Sequence, residues 1–179
     1  MSRGYRVRLP EPTWRNSTTR VASSDAMAMD VGLLEILPEA AMAGLLRERL
    51  AEDGWSKGQD GVMRRSFGAV EAELSADGRT ITARSTVTKE VKVRATSEAQ
   101  AADLLARASR SAEGQLSREA AEQLGAAEAD IRAALQGALQ KVYVEALQRK
   151  AASLGQVESV HEGRGADGEL ELTIKVRVP

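Results

Sequence analysis

The sequence predicts an α+β protein: a mostly antiparallel sheet, a short helix, and one long or kinked helical stretch ahead of a C-terminal β-hairpin. Three observations carry that reading. Ser75-Ala76-Asp77-Gly78 is a turn signal set between segments of two-residue alternation, the pattern of strands with one wet face. Helical periodicity without proline runs from Ser97 to Leu154-Gly155, far longer than an ordinary helix needs. Alternation returns from Leu170 to the end. We take residues 1–179 as a single α+β domain, with strands and a helix over 1–95, the helical stretch over 96–154, and a hairpin over 155–179 that completes the sheet.

From the front, Tyr5, Val7 and Leu9 alternate with Arg6 and Arg8, a strand that Pro10 and Pro12 end. Trp14 to Ser24 is polar and reads as a loop. Ala26 to Ile36 suits either a strand or a short helix. Pro38 fits the first residue of a helix, which Met42, Leu45, Leu46 and Leu50 continue at helical spacing until Asp53-Gly54. Trp55 should fold back onto it. Val62–Phe67 and Val70–Leu74 are strand candidates. Beyond the turn, where Gly78 supplies the positive φ, Ile81, Ala83, Ser85, Val87, Val91 and Val93 share one face of a long strand. Thr80, Thr82, Arg84, Thr86, Thr88, Glu90, Lys92 and Arg94 share the other, as in an antiparallel sheet with one solvated side.

Ser97 with Gln100 fits a capping box that opens the helical stretch. Unbroken, the stretch would span roughly 85 Å at 1.5 Å per residue. Ser111, Gly114 and Ser117 form a weak point, so two helices or one kinked helix are favoured over a single rod. Beyond it, Leu116, Ala120, Leu124, Ala127, Ile131, Leu135, Ala138, Val142 and Ala146 repeat at spacings of four, four and three. That eleven-residue period gives a nearly straight or slightly right-handed stripe. Val157 to Glu162 is the first strand of the closing hairpin.

Composition limits the chemistry. Aromatics are 3% of the chain, so the core is aliphatic and platforms for stacking bases or flavins are few. The absence of cysteine removes disulfides, thiolate chemistry and Cys-based metal sites. A net charge of −1 argues against a polyanion binder as the default. Met1-Ser2-Arg3-Gly4-Tyr5-Arg6 has no apolar run behind it and Met27–Leu37 is too short to span a bilayer; the expected address is the cytoplasm.

Few residues invite catalysis. Gly163-Arg164-Gly165-Ala166-Asp167-Gly168 spells G-x-G-x-x-G, but a dinucleotide site needs a helix after it and a strand follows instead; it reads as a hairpin loop. His161 is the sole histidine, with no nucleophile motif around it. Asp25, Asp30 and Glu35 lack the oxygen-ligand spacing of a calcium loop. No catalytic, cofactor-binding or metal-ligating residue is assigned, and no cofactor. Arg6, Arg8, Arg84, Lys92, Arg94, Lys175 and Arg177 could merge into a basic face if their strands were neighbours, but Glu90, Glu169 and Glu171 dilute it and no aromatics interleave.

Three pieces at the front resemble a known family: Ser2-Arg3-Gly4-Tyr5-Arg6-Val7 to Trp14, Ser24-Asp25 through Met29-Asp30-Val31 to Ile36-Leu37-Pro38, and Asp53-Gly54-Trp55. Over roughly the first half of the chain they resemble an X-series accessory domain, the fifth type being the candidate, of bacterial ternary systems that combine an FtsH-like ATPase with MoxR-type and von Willebrand factor A partners. The resemblance carries no catalytic motif. No Walker motif is present, so the chain would be a companion of the ATPase.

The expectation is therefore a non-catalytic accessory or scaffolding subunit acting by protein–protein interaction. An enzyme of unrecognised type and a nucleic-acid-binding module using the mixed basic face are the rivals. The stripe is longer than a small sheet can cover. Leu124, Ile131, Leu135 and Val142 are accordingly the candidate contacts to a protein partner or a second copy, components of the ATPase system among them.

Overall fold

The computed structural model describes residues 13–164 and 170–177. The elements are β1 (Arg15–Asp30), α1 (Glu39–Glu52), β2 (Ser56–Lys57), β3 (Met63–Phe67), β4 (Val70–Leu74), β5 (Thr80–Ala95), α2 (Glu98–Leu154), β6 (Gln156–Arg164) and β7 (Leu170–Arg177). Five strands form an antiparallel sheet in the order β1-β5-β4-β3-β2, and β6 pairs with β7 in a second, two-stranded sheet. The α+β class holds. By their internal contacts the residues fall into two units, one running through Ser24 and Thr86–Ala120, the other through Asp25–Ser85 and from Ala121 onward.

In the larger unit, the β4–β5 hairpin closes at the expected turn, with Gly78 at φ 76°. Only glycine fits there comfortably, because a Cβ would also come within 3.3 Å of the Ala43 side chain. The register sets Leu74 opposite Ile81, Ala72 opposite Ala83 and Val70 opposite Ser85, and all six are buried. Their neighbours on the other face, Glu71 opposite Arg84 and Glu73 opposite Thr82, meet solvent or pair across strands, as Arg64 of β3 does with Glu73 at 2.8 Å. Alternation thus separates a dry face from a wet one.

The dry face carries both helices. Met42, Leu45, Leu46 and Leu50 of α1 join Met63, Val70, Ala72, Leu74, Ile81 and Ala83 in one core with Leu124, Ala127, Ile131, Leu135, Ala138, Val142 and Ala146 of α2. Pro38 is the N-cap residue, one position earlier than expected, and its carbonyl accepts from Ala41 and Met42. Trp55 folds back as anticipated: its N–H donates to the Leu50 carbonyl, and its buried ring meets Phe67 edge-on at 6.0 Å. Ser85, fully buried, donates to Gln123 Oε1 at 2.7 Å, which satisfies its hydroxyl.

In the smaller unit Val21 of β1 is buried with Ala112 and Leu116 of α2, and Val87 and Val91 of β5 pack partly buried against them. The capping box forms in modified shape: Ser97 Oγ accepts from the Gln100 N–H, while Gln100 reaches back to the N–H and hydroxyl of Thr96.

Three expectations need correction. Trp14–Ser24 is not a loop, since β1 begins at Arg15; pairing beside β5 overrides its polar composition. The helical stretch does not break near Gly114: α2 is continuous over 57 residues, and Ala112 and Leu116 are buried across the weak point. One glycine costs a helix only about 1 kcal/mol, which that burial offsets. The C-terminal hairpin does not complete the main sheet, because among the described residues β6 and β7 pair only with each other. The strand expected at Tyr5–Leu9 lies outside the described residues.

Candidate interaction surface

The eleven-residue stripe is where the sequence placed the contacts, and every one of its nine positions from Leu116 to Ala146 is buried. Leu124, Ile131, Leu135 and Val142 all lie inside the core of the larger unit, against α1 and the sheet. In the larger unit a second helix and a sheet face bury more of the stripe than a sheet alone would. Buried there, these four side chains are not on the surface of the chain.

The remaining candidates are dispersed. His161 is exposed on β6, opposite Thr173. Of the glycine motif, Gly163 and Arg164 end β6, residues 165–169 lie outside the described set, and strand β7 follows. Among the described residues no group of carboxylates and imidazole could hold a metal ion, and no helix is long and apolar enough to cross a membrane. The strands of the basic residues are not neighbours in one sheet: Arg84, Lys92 and Arg94 lie on β5, whereas Lys175 and Arg177 lie on β7 of the two-stranded sheet. Acidic neighbours also take up part of the charge, Glu90 at 3.1 Å from Lys92 and Glu158 at 2.5 Å from Arg177. Arg6 and Arg8 lie outside the described residues.

The structure draws attention instead to the segment between β1 and α1. Val31 anchors it, buried and donating its N–H to the Arg79 carbonyl at 2.9 Å. Gly32 then turns the chain at φ 59°, its N–H donating to Asp30 Oδ1 at 3.1 Å. Side chains of α2 hold the rest: the Tyr143 hydroxyl accepts from the Leu34 N–H and donates to the Gly32 carbonyl, and Lys150 donates to the Ile36 carbonyl at 3.0 Å. A loop pinned at five backbone groups presents its side chains in a fixed array.

On one side of this loop lies a groove of about 240 Å³, lined by Asp30, Leu33, Leu34, Glu35 and, from α1 and the β4–β5 turn, Glu39, Met42, Ala43, Asp77 and Arg79. On the other side is a shallower depression of about 560 Å³ between Ile36, Leu37 and the Lys150 and Ser153 end of α2, with Glu35 and Glu39 on its rim as well. Leu34, at the crest, is 58% exposed, and Leu147 and Leu154 of α2 are 38% and 62% exposed.

Charge at the groove is one-sided. Arg79 is its sole cation, and its guanidinium is engaged by Glu39, whose carboxylate raises the Arg79 pKa. The Ser75 hydroxyl at 2.5 Å and the Arg79 N–H at 3.0 Å hold the Asp77 carboxyl below its ordinary value, keeping it ionised. Among the described residues Asp30, Glu35 and Asp77 form no ion pair. Sequence reasoning noticed Asp30 and Glu35 as poor metal ligands but passed over Leu33-Leu34. The available signal was an aliphatic pair between a glycine and a helix-opening proline, in a stretch with no settled period.

Compared with known proteins, residues 1–178 match the model of one family, described as FtsH ternary system domain X5. No curated protein and no solved structure matches the chain.

Proposed function

Because the chain belongs to the FtsH ternary system domain X5 family, we propose that it is a non-catalytic accessory or scaffolding subunit that acts by protein–protein interaction within that system. The family match across residues 1–178 is the observation that carries the reading. The surface supports it: the groove beside Leu34 offers an apolar floor and fixed charges. In this reading the chain works in the cytoplasm as a single α+β domain. The long helix contributes to recognition through exposed side chains such as Leu147 and Leu154, not through its buried stripe.

The test is co-purification of the tagged full chain from its native host, with components identified by mass spectrometry. Recovery of the companion ATPase or another component of the same system is expected. A chain that stays monomeric and recovers none of them would overturn the reading. His161→Ala should leave the recovered set unchanged.

A further inference from the structure

We infer that the groove between Leu34, Met42 and Asp77 is a docking site for a partner segment that presents an arginine or lysine next to an aliphatic side chain. This inference rests on the accessory-subunit reading and names the chemistry of the partner. Its first support is shape. The floor is apolar, with Leu33, Leu34, Met42 and Ala43 along one cavity of about 240 Å³, a volume suited to one or two side chains and small for a cofactor. The second is charge. Four carboxylates line it against one guanidinium that Glu39 already occupies, so the field inside favours a cation. A long basic side chain satisfies both demands, because its methylene stem covers apolar surface while its head reaches carboxylates.

The third support is rigidity. The groove walls are the hydrogen-bonded Val31–Pro38 loop, the first turns of α1 and the β4–β5 turn, where Gly78 lies close against Ala43. A preformed wall lowers the ordering cost of binding a flexible segment. Leu34, exposed at the rim, then supplies an apolar contact beside the seated cation. An anionic segment is disfavoured by the same carboxylates.

Titration of an acetylated, amidated Leu-Arg-Leu-Arg-Leu peptide into the isotope-labelled full chain, followed by amide NMR, tests the site. Shifts should concentrate on Gly32, Leu34, Glu35, Ala43 and Arg79, and weaken as salt rises. Replacing arginine with citrulline in the peptide, or combining Asp30→Asn with Glu35→Gln in the protein, should each weaken binding about tenfold, the loss of roughly 1.4 kcal/mol. Leu34→Ala should weaken it without altering the dependence on salt. These surface variants should keep the wild-type melting temperature. Equal binding of a glutamate-containing peptide, shifts scattered over the surface, or no binding at millimolar peptide would each overturn the assignment. Shifts at these amides that grow with protein concentration alone would overturn it too, by making a second copy the occupant. The peptide titration and the co-purification are separate readouts, so a failure of the groove assignment is distinguishable from a failure of the accessory-subunit reading.

Discussion

The two units of this chain use the same kinds of element and fill them differently. In the larger, β5 contributes Ile81, Ala83 and fully buried Ser85, and α2 contributes Leu124, Ile131, Leu135 and Val142 to a core that α1 seals. In the smaller, β5 contributes Val87 and Val91, only partly buried, and the fully enclosed side chains are few: Val21, Ala112 and Leu116. Charge differs as well. Among the described residues the smaller unit carries eight basic against five acidic side chains, the larger fourteen against eighteen, so the near-neutral whole is a sum of opposite signs. Secondary structure alone does not confer stability; what the periodic positions bury does. The smaller unit should open first, by local unfolding beneath the global transition.

That contrast can be broken most forcefully at Leu135. Leu135→Glu puts an unpaired charge into the large core, which should cost about 4 kcal/mol or more and abolish cooperative melting. Leu147→Glu, just over three turns along at an exposed position, should melt like wild type; matching losses in the two would mean the stripe is not where the core lies. Next comes Leu116→Ala. A buried leucine truncated in a small cluster should cost about 2 kcal/mol. Its signature is regional: hydrogen exchange should speed over Thr86–Ala120 while Ile131 and Val142 keep their protection. Uniform acceleration along α2 would show that the two regions open together.

A gentler probe lies on β5. Val91→Asp should cost about 1–2 kcal/mol because the site is half-buried, and Thr86→Asp, on the wet face, under about 0.5 kcal/mol. Indistinguishable melting temperatures would reject the strand register. The smallest effect concerns acid. Arg49, donating to Glu145 at 2.6 Å, holds the Glu145 carboxyl below its ordinary value of 4.5, despite the opposing push of burial, and Arg149 adds to the effect. A depressed folded pKa gives stability that is present above the unfolded value and lost as pH falls through the folded one. Denaturant melts below pH 4.5 should therefore show a shallower loss of stability in Glu145→Gln than in wild type, with a modest difference since the groups are partly solvated.

Much of the fold was legible because its signals are local. The turn at Ser75–Gly78, the Pro38 helix start and the four-four-three stripe each state their geometry within a dozen residues. Trp14–Ser24 misled because a strand of serine, threonine and asparagine shows little apolar period; what makes it a strand is its place beside β5, information held by another segment. The Ser111–Ser117 weak point misled because helix propensity is small beside burial. The choice of sheet for the final hairpin is likewise tertiary. The groove was hidden for a related reason: Asp30, Glu35, Met42 and Asp77 lie in four separate stretches, and only the folded hairpin and α1 bring them together.

The stripe on α2 also acts as a ruler. Its buried positions recur every eleven residues, three helical turns at 3.67 residues each. Inserting one residue between Leu124 and Ile131 would rotate everything beyond it by about 100° and advance it by about 1.5 Å, sending Ile131, Leu135 and Val142 off the face they share with Leu124 in the larger core. Inserting eleven would restore the phase. Only the rotational phase of this helix is thus set in whole periods, since eleven residues also advance it by about 16 Å, while its exposed face is free to vary one side chain at a time.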